Sequence, residues 1–191
     1  MIRTILLLLL PLNLLAQGIQ FSVDEKGKYT LMEVIECPGQ TQIQIYQNAF
    51  NYLKDLKVMD SPKSFLQTDT TNFTVKNRGS FYVHNHGSMK KHPDGAVEYN
   101  IIIECRDQRY RYTITNFIFN PYKRNRYGKF EPVSGKYTPL ETEPSGLNRS
   151  NWNNYRLITF NKSQDLITDL KKAFIASEIS EPGKVIKHDT W

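Results

Sequence analysis

The chain has 191 residues, 39% of them hydrophobic and 23% charged, with a formal net charge of +6. That length suits one domain able to bury a core without disulfide staples. With no internal repeat, no low-complexity tract past the opening and no later run apolar enough to span a bilayer, repeat and multi-span membrane classes are excluded.

The opening, MIRTILLLLLPLNLLAQG, sets one basic residue, Arg3, before an apolar run from Ile5 to Leu15, with small residues at Ala16 and Gly18. This pattern predicts a secretory signal peptide over residues 1–16, cleaved after Ala16 or Gly18, and an exported, periplasmic or extracellular protein. Removal of residues 1–16 leaves 175 residues at net +5, because Arg3 leaves with the peptide. The remaining charge is uneven. Between Arg106 and Lys129 seven basic residues meet one acid, Asp107, so the rest is close to neutral.

Residues 17–27 read as a loose lead-in. Lys28 to Glu36 is strand-like, and its apolar residues on both faces (Met32 and Val34, Leu31 and Ile35) predict a covered strand. Thr41 with Gln44 three positions on opens a capping-box helix to about Leu56, with Tyr46, Ala49, Phe50, Leu53 and Leu56 as its buried stripe. Strands are predicted at Ser64–Thr68 and Phe73–Val83, with a bulge at Gly79. His84 to Gly95 is a polar connection.

Ala96 to Phe119 reads as a hairpin with Asp107-Gln108 as the loop, or a four-residue loop of the same register. Facing residues then have numbers summing to 215. This register puts Val97, Tyr99, Ile101, Ile103, Tyr110, Tyr112, Ile114 and Ile118 on a core face. Glu98, Asn100, Ile102, Glu104, Arg111, Thr113, Thr115 and Phe117 fall on a wet face, where Glu104 and Arg111 form a cross-strand ion pair. Asn120-Pro121 ends the strand and opens a long excursion over 120–161, with a short extended piece at Tyr155–Phe160. Ser163 caps a second helix, Gln164 to about Ser177, with Leu166, Ile167, Leu170, Ala173 and Phe174 inward. Pro182-Gly183 ends a single domain of residues 28–178, and 179–191 is a tail. The order β-α-β-β-β-β-α predicts an α+β fold: a two-layer sandwich of about five antiparallel strands with two helices on one face.

Several short motifs in this order resemble a family. They are Val34-Ile35-Glu36-Cys37-Pro38-Gly39, Gly79-Ser80-Phe81, Arg109-Tyr110-Arg111-Tyr112-Thr113, Tyr137-Thr138-Pro139-Leu140-Glu141 and Leu170-Lys171-Lys172-Ala173-Phe174. The chain is similar to an uncharacterised family of exported bacterial proteins, a domain of unknown function with a TBP-like fold. Cys37 and Cys105 depart from its pattern. The resemblance implies the fold and an envelope address, but no activity and no catalytic residues. It also implies that the first strand lies beside Arg109–Phe119, which sets Cys37 and Cys105 on one sheet edge about 9–10 Å apart. A disulfide between them, permitted by the compartment, then requires the strand ends to converge.

Candidate sites are few. His84, His86 and His92 are weak metal candidates with no compact ligand spacing. No nucleophile elbow, zinc helix, Cys-x-x-Cys or phosphate loop occurs, and Glu98 and Glu104 stand about 20 Å apart, too far for paired acid/base work. The binding candidates are Arg111, Thr113, Thr115 and Phe117 on the wet face, and the basic run with Lys123, Arg124 and Arg126. The expected function is a non-enzymatic binding or structural module of the bacterial cell envelope. The alternative is a hydrolase of an envelope polymer built from the excursion and the histidine connection. No cofactor is indicated. The expected partner is an envelope protein or an anionic polymer, and an exported address sets nucleic acid aside.

Overall fold

The computed structural model describes residues 21–59, 63–84, 92–143 and 149–179; the predicted leader, His86 and the tail from residue 180 lie outside them. Among the described residues the elements run β1 (Ser22–Val23), β2 (Tyr29–Glu36), α1 (Gln42–Leu53), β3 (Gln67–Asp69), β4 (Thr74–Val83), β5 (Gly95–Arg106), β6 (Arg109–Arg124), β7 (Phe130–Pro132), β8 (Thr138–Pro139) and α2 (Arg149–Ile179). The sheet order is β1-β2-β6-β5-β4-β3, antiparallel throughout, with β7 and β8 paired to the far part of β6. The α+β sandwich expected from the sequence is present, with more strands than the five counted there.

The hairpin turns where predicted. Arg106 faces Arg109 across Asp107-Gln108, and Gln108 takes a left-handed φ of 60°. This tip anchors the first helix. Gln108 accepts from the Cys37 N–H and donates its own N–H to the Gln40 carbonyl, while the Asp107 carboxylate accepts from the Gln42 N–H. A carboxylate at that point satisfies an otherwise orphaned helix donor and favours the positive end of the helix dipole. The capping box of Thr41 and Gln44 is formed as read. The buried stripe, however, is Ile45, Ala49 and Leu53, with Tyr46 and Leu56 at its margin and Phe50 on the exposed side.

One left-handed residue redirects the second half of the hairpin. The register sums to 215 from the tip to Asn100↔Thr115, then shifts, so that Glu98 faces Ile118 and Val97 faces Phe119. Asn116, at φ 59°, is the extra residue of a β-bulge, held by the Lys28 ammonium donating to its side-chain oxygen at 2.8 Å. An inserted residue reverses the in/out alternation beyond it. Phe117 and Phe119 therefore face the core, and Ile118 turns to the wet side only half buried. The prediction of Phe117 on the wet face and Ile118 in the core is corrected by this one residue. Gly79, by contrast, interrupts nothing: β4 and β5 keep one register through it, and the ring of its cross-strand neighbour Tyr99 occupies the space a Cβ would take.

The excursion is also more ordered than its composition suggested. The strand β6 runs on to Arg124; Pro121 stands opposite Gly95, where the ladder to β5 ends, a position proline tolerates. The second helix starts at Arg149, so Tyr155–Phe160 is helical rather than extended. Ser163 is no cap. It is buried mid-helix, and its hydroxyl donates to the Thr159 carbonyl one turn back, at 2.8 Å. The asparagine-rich opening of α2 has poor helix propensity, but burial of Trp152 and Tyr155 against Phe119 overrides it, with ring centroids 5.5 and 5.0 Å away. Farther on, Phe174 stacks on Tyr110 at 4.1 Å. Among the described residues, helices and core thus occupy one side of the sheet and no helix covers the other.

Candidate functional site

The open face is built of cross-strand rows. Nearest the hairpin tip, Glu36, Arg109 and Arg106 stand side by side; next come Val34, Arg111, Glu104 and Thr74. Behind these lie Met32, Thr113, Ile102 and Lys76, then Thr30, Thr115, Asn100 and Arg78. Five basic side chains meet two carboxylates in these rows. Met32 and Val34 are 60% and 52% exposed, so an apolar strip of β2 borders the arginines. Their exposure corrects the reading of β2 as covered on both faces. Only Leu31 and Ile35, with Tyr29, pack on the core.

The arginines are not equivalent. Arg111 is tied to Glu104, as predicted, with its Nε and one terminal nitrogen each 2.7 Å from the same carboxylate oxygen. Among the described residues Arg106 and Arg109 form no ion pair, and both are exposed. Val34, Glu104, Arg106, Arg109 and Arg111 line a depression of about 210 Å³. Such a surface offers guanidinium forks to oxyanions and a neighbouring apolar strip to the ligand's hydrocarbon portion. Farther along the face, the Arg78 guanidinium lies over the Phe65 ring at 4.8 Å.

Of the residues singled out in the sequence, Arg111, Thr113 and Thr115 share this face. Phe117 does not, being wholly buried in the core. Lys123, Arg124 and Arg126 lie at or beyond the far end of β6, where Lys123 faces Glu131 of β7 and Arg126 stacks on Tyr127. Twelve residues of strand separate Lys123 from Arg111, roughly 40 Å at the usual rise, so the two basic groups are separate surfaces. Met32, Val34, Arg106 and Arg109 were missed as site residues. The alternation of β2 and the basic hairpin tip were visible, but which face lacked cover was not.

The remaining candidates lie outside these rows. His92 stacks on Phe130 with ring centroids 3.6 Å apart, and its backbone carbonyl contacts a His84 ring nitrogen at 3.3 Å. Among the described residues no group of three or more histidines, cysteines and carboxylates could hold a metal ion. Cys37 and Cys105 are both buried and carry thiols rather than a disulfide. Burial, with Cys37 and Glu104 nearby, pushes the Cys105 thiol up to about 12. On the helix side, Lys171 and the Tyr112 hydroxyl each donate to Glu33 Oε2 at 2.7 Å and hold its carboxyl below the usual range. No described helix is long and apolar enough to cross a membrane.

Comparison with known proteins agrees with this architecture. A TBP-like protein from Parabacteroides distasonis has a similar fold at TM-score 0.59 and 16% identity, covering 79% of this chain and 95% of that one. A DUF4468 family protein from Bacteroides ovatus gives TM-score 0.58 at 20% identity, covering 83% and 91%. No curated protein matches the sequence. A family model described as "Domain of unknown function (DUF4468) with TBP-like fold" matches residues 32–120, a span that runs from β2 through the bulged part of β6. Over residues 32–120 the chain is therefore similar to the domain of unknown function with TBP-like fold.

Proposed function

We propose that this protein is a non-enzymatic binding module of the bacterial cell envelope, and that it binds through the open face of its sheet. The observation that carries this reading is the gathering of Arg106, Arg109 and Arg111 beside the exposed strip of Met32 and Val34. An antiparallel sheet can leave one face to water, but a solvated face is ordinarily polar throughout. Here the apolar strip and the cationic rows adjoin, which suits an anionic partner with an apolar portion. The leader over residues 1–16 supports the envelope address.

The test is site-specific photo-crosslinking in the native envelope. A photoreactive residue at Thr113, central on the open face, is compared with one at Gln47 on the outer side of α1. Adducts from position 113 that are absent from position 47, and lost when Arg109→Glu and Arg111→Glu are added, are expected. Equal adducts from both positions, or none from position 113, would refute the reading.

A further inference from the structure

Beyond Pro121 the strand β6 runs past its neighbours. Its ladder to β5 ends at Gly95↔Pro121, and β8 pairs with it at Ile118 and Phe119. From Tyr122 to Arg124, among the described residues, it pairs with β7 alone. The result is a two-stranded ribbon closed by residues 125–129. Rings fasten its base: Tyr122 meets Tyr82 edge to face at 5.9 Å, and Phe130 stacks on His92. Asn125 fastens its tip, where the side-chain oxygen accepts the N–H groups of Tyr127 and Lys129 at 2.9 and 3.0 Å. Gly128 takes a left-handed φ of 80°, and its carbonyl accepts from Arg124 Nε at 3.3 Å. The tip is shaped by its own bonds, so the side chains it presents are held outward.

Residues 122–136 hold five cations, Lys123, Arg124, Arg126, Lys129 and Lys136, against one carboxylate, Glu131. All five are exposed, and among the described residues none is in an ion pair. Glu131 stands opposite Lys123 in the ladder, but its Oε2 accepts from the Asn125 amide at 3.0 Å. The connection 85–91, which leads to His92, has no acid in its sequence and adds Lys90 and Lys91. Tyr127 is 77% exposed, with the Arg126 guanidinium over its ring at 4.8 Å. Neither this ring nor the cations support the core, and like charges crowded into one ribbon oppose folding.

We propose that this ribbon is a docking site, separate from the open face, for the anionic phospholipid headgroups of a bilayer surface. Charge complementarity is the first argument, since a polybasic segment without carboxylate partners is drawn to an anionic leaflet. Shape selects a bilayer over a soluble polyanion. Lys123 and Arg124 are successive strand residues, so their side chains stand on opposite faces of the ribbon, with Arg126 in the loop beyond them. A knob with cations all round meets anions all round when it dips into a headgroup layer. A single polymer chain reaches one face of it, and proteins that bind such chains offer them a groove. Tyr127 in the loop suits the same site, because amphipathic aromatic rings gather at the headgroup level.

The test is cosedimentation of the protein with vesicles of phosphatidylglycerol and phosphatidylcholine in equal parts, against vesicles of phosphatidylcholine alone. An apolar leader, where retained, binds both vesicle types, so the excess on phosphatidylglycerol is what is read. That excess is expected at ~0.1 M salt and should be lost at ~0.5 M, where the Debye length falls to about 4 Å. Each basic residue near such a surface strengthens binding about fivefold. Arg124→Gln, Arg126→Gln and Lys129→Gln together should therefore weaken it about hundredfold, with an unchanged circular dichroism spectrum. Lys54→Gln, Lys162→Gln and Lys172→Gln remove the same charge from the helix side and should change it by less than about threefold. Equal binding to both vesicle types, or the two triple variants weakened alike, would overturn the proposal. So would a ribbon variant that loses binding to dextran sulfate but keeps the vesicles, which would make the ribbon a polymer site. Neither triple variant touches the open face, and crosslinking at Thr113 reads that face alone, so either proposal can fail without the other.

Discussion

Replacing Phe117 with alanine measures what the bulge at Asn116 is worth. The Phe117 side chain is wholly buried, with its ring 5.2 Å from that of Phe21 and 6.4 Å from that of Tyr99. Removing a buried phenylalanine ring costs about 3–5 kcal/mol, from lost transfer energy and the cavity left behind. Ile118, the next residue, is only half buried on the open side, so Ile118→Ala should cost about 1 kcal/mol or less. Urea unfolding followed by fluorescence of Trp152, buried against Phe119, reads both. With a slope of roughly 2 kcal/mol/M for a domain of this size, Phe117→Ala should lower the midpoint by roughly 1.5–2.5 M and Ile118→Ala by roughly 0.5 M or less. An unbroken alternation through the strand predicts the opposite order. If Ile118→Ala proved the more damaging, the bulge and the inward turn of Phe117 and Phe119 would be refuted. Asn116→Gly serves as the control: a left-handed φ of 59° suits glycine, so the change should be close to neutral.

Two further outcomes follow from the titratable groups. With Cys37 and Cys105 buried and the Cys105 thiol raised to about 12, a thiol reagent at neutral pH should react with neither in the folded protein. It should titrate two thiols after unfolding without reductant; fewer than two would reveal a disulfide. Glu33 has a folded pKa below its unfolded one, so its contribution is full above the unfolded value near 4.5 and disappears as pH falls through the folded value. Wild type should exceed Glu33→Gln in stability above pH ~5, and the two should converge in stronger acid. Because Glu33 and Lys171 are both partly exposed, the difference should be ~1 kcal/mol or less. A difference that grew on acidification would contradict the assignment of Lys171 and Tyr112 as the partners that hold the carboxylate charged.

Local signals were legible wherever they were sufficient to act alone. The capping box at Thr41 and Gln44, the hairpin tip at Asp107-Gln108, and the Glu104–Arg111 pair each depend on residues within a few positions or on one short register. The errors came where distant packing decides. Nothing near Asn116 marks a bulge, since asparagine takes the left-handed region only when the surroundings favour it. The Asn-rich start of α2 reads as loop until Trp152 and Tyr155 have Phe119 to pack on.

Periodicity in the sequence determined which residues share a face, and so set Arg111, Thr113 and Thr115 together and apart from Tyr110, Tyr112 and Ile114. It could not determine which apolar faces would find cover. Met32–Val34 and Leu31–Ile35 alternate on one strand and look alike as letters. The tertiary structure packs the second pair, partly buried, against the core and leaves the first in water beside the arginines. The alternation of a strand is a local property of its backbone, whereas burial depends on where α1 and α2 come to rest.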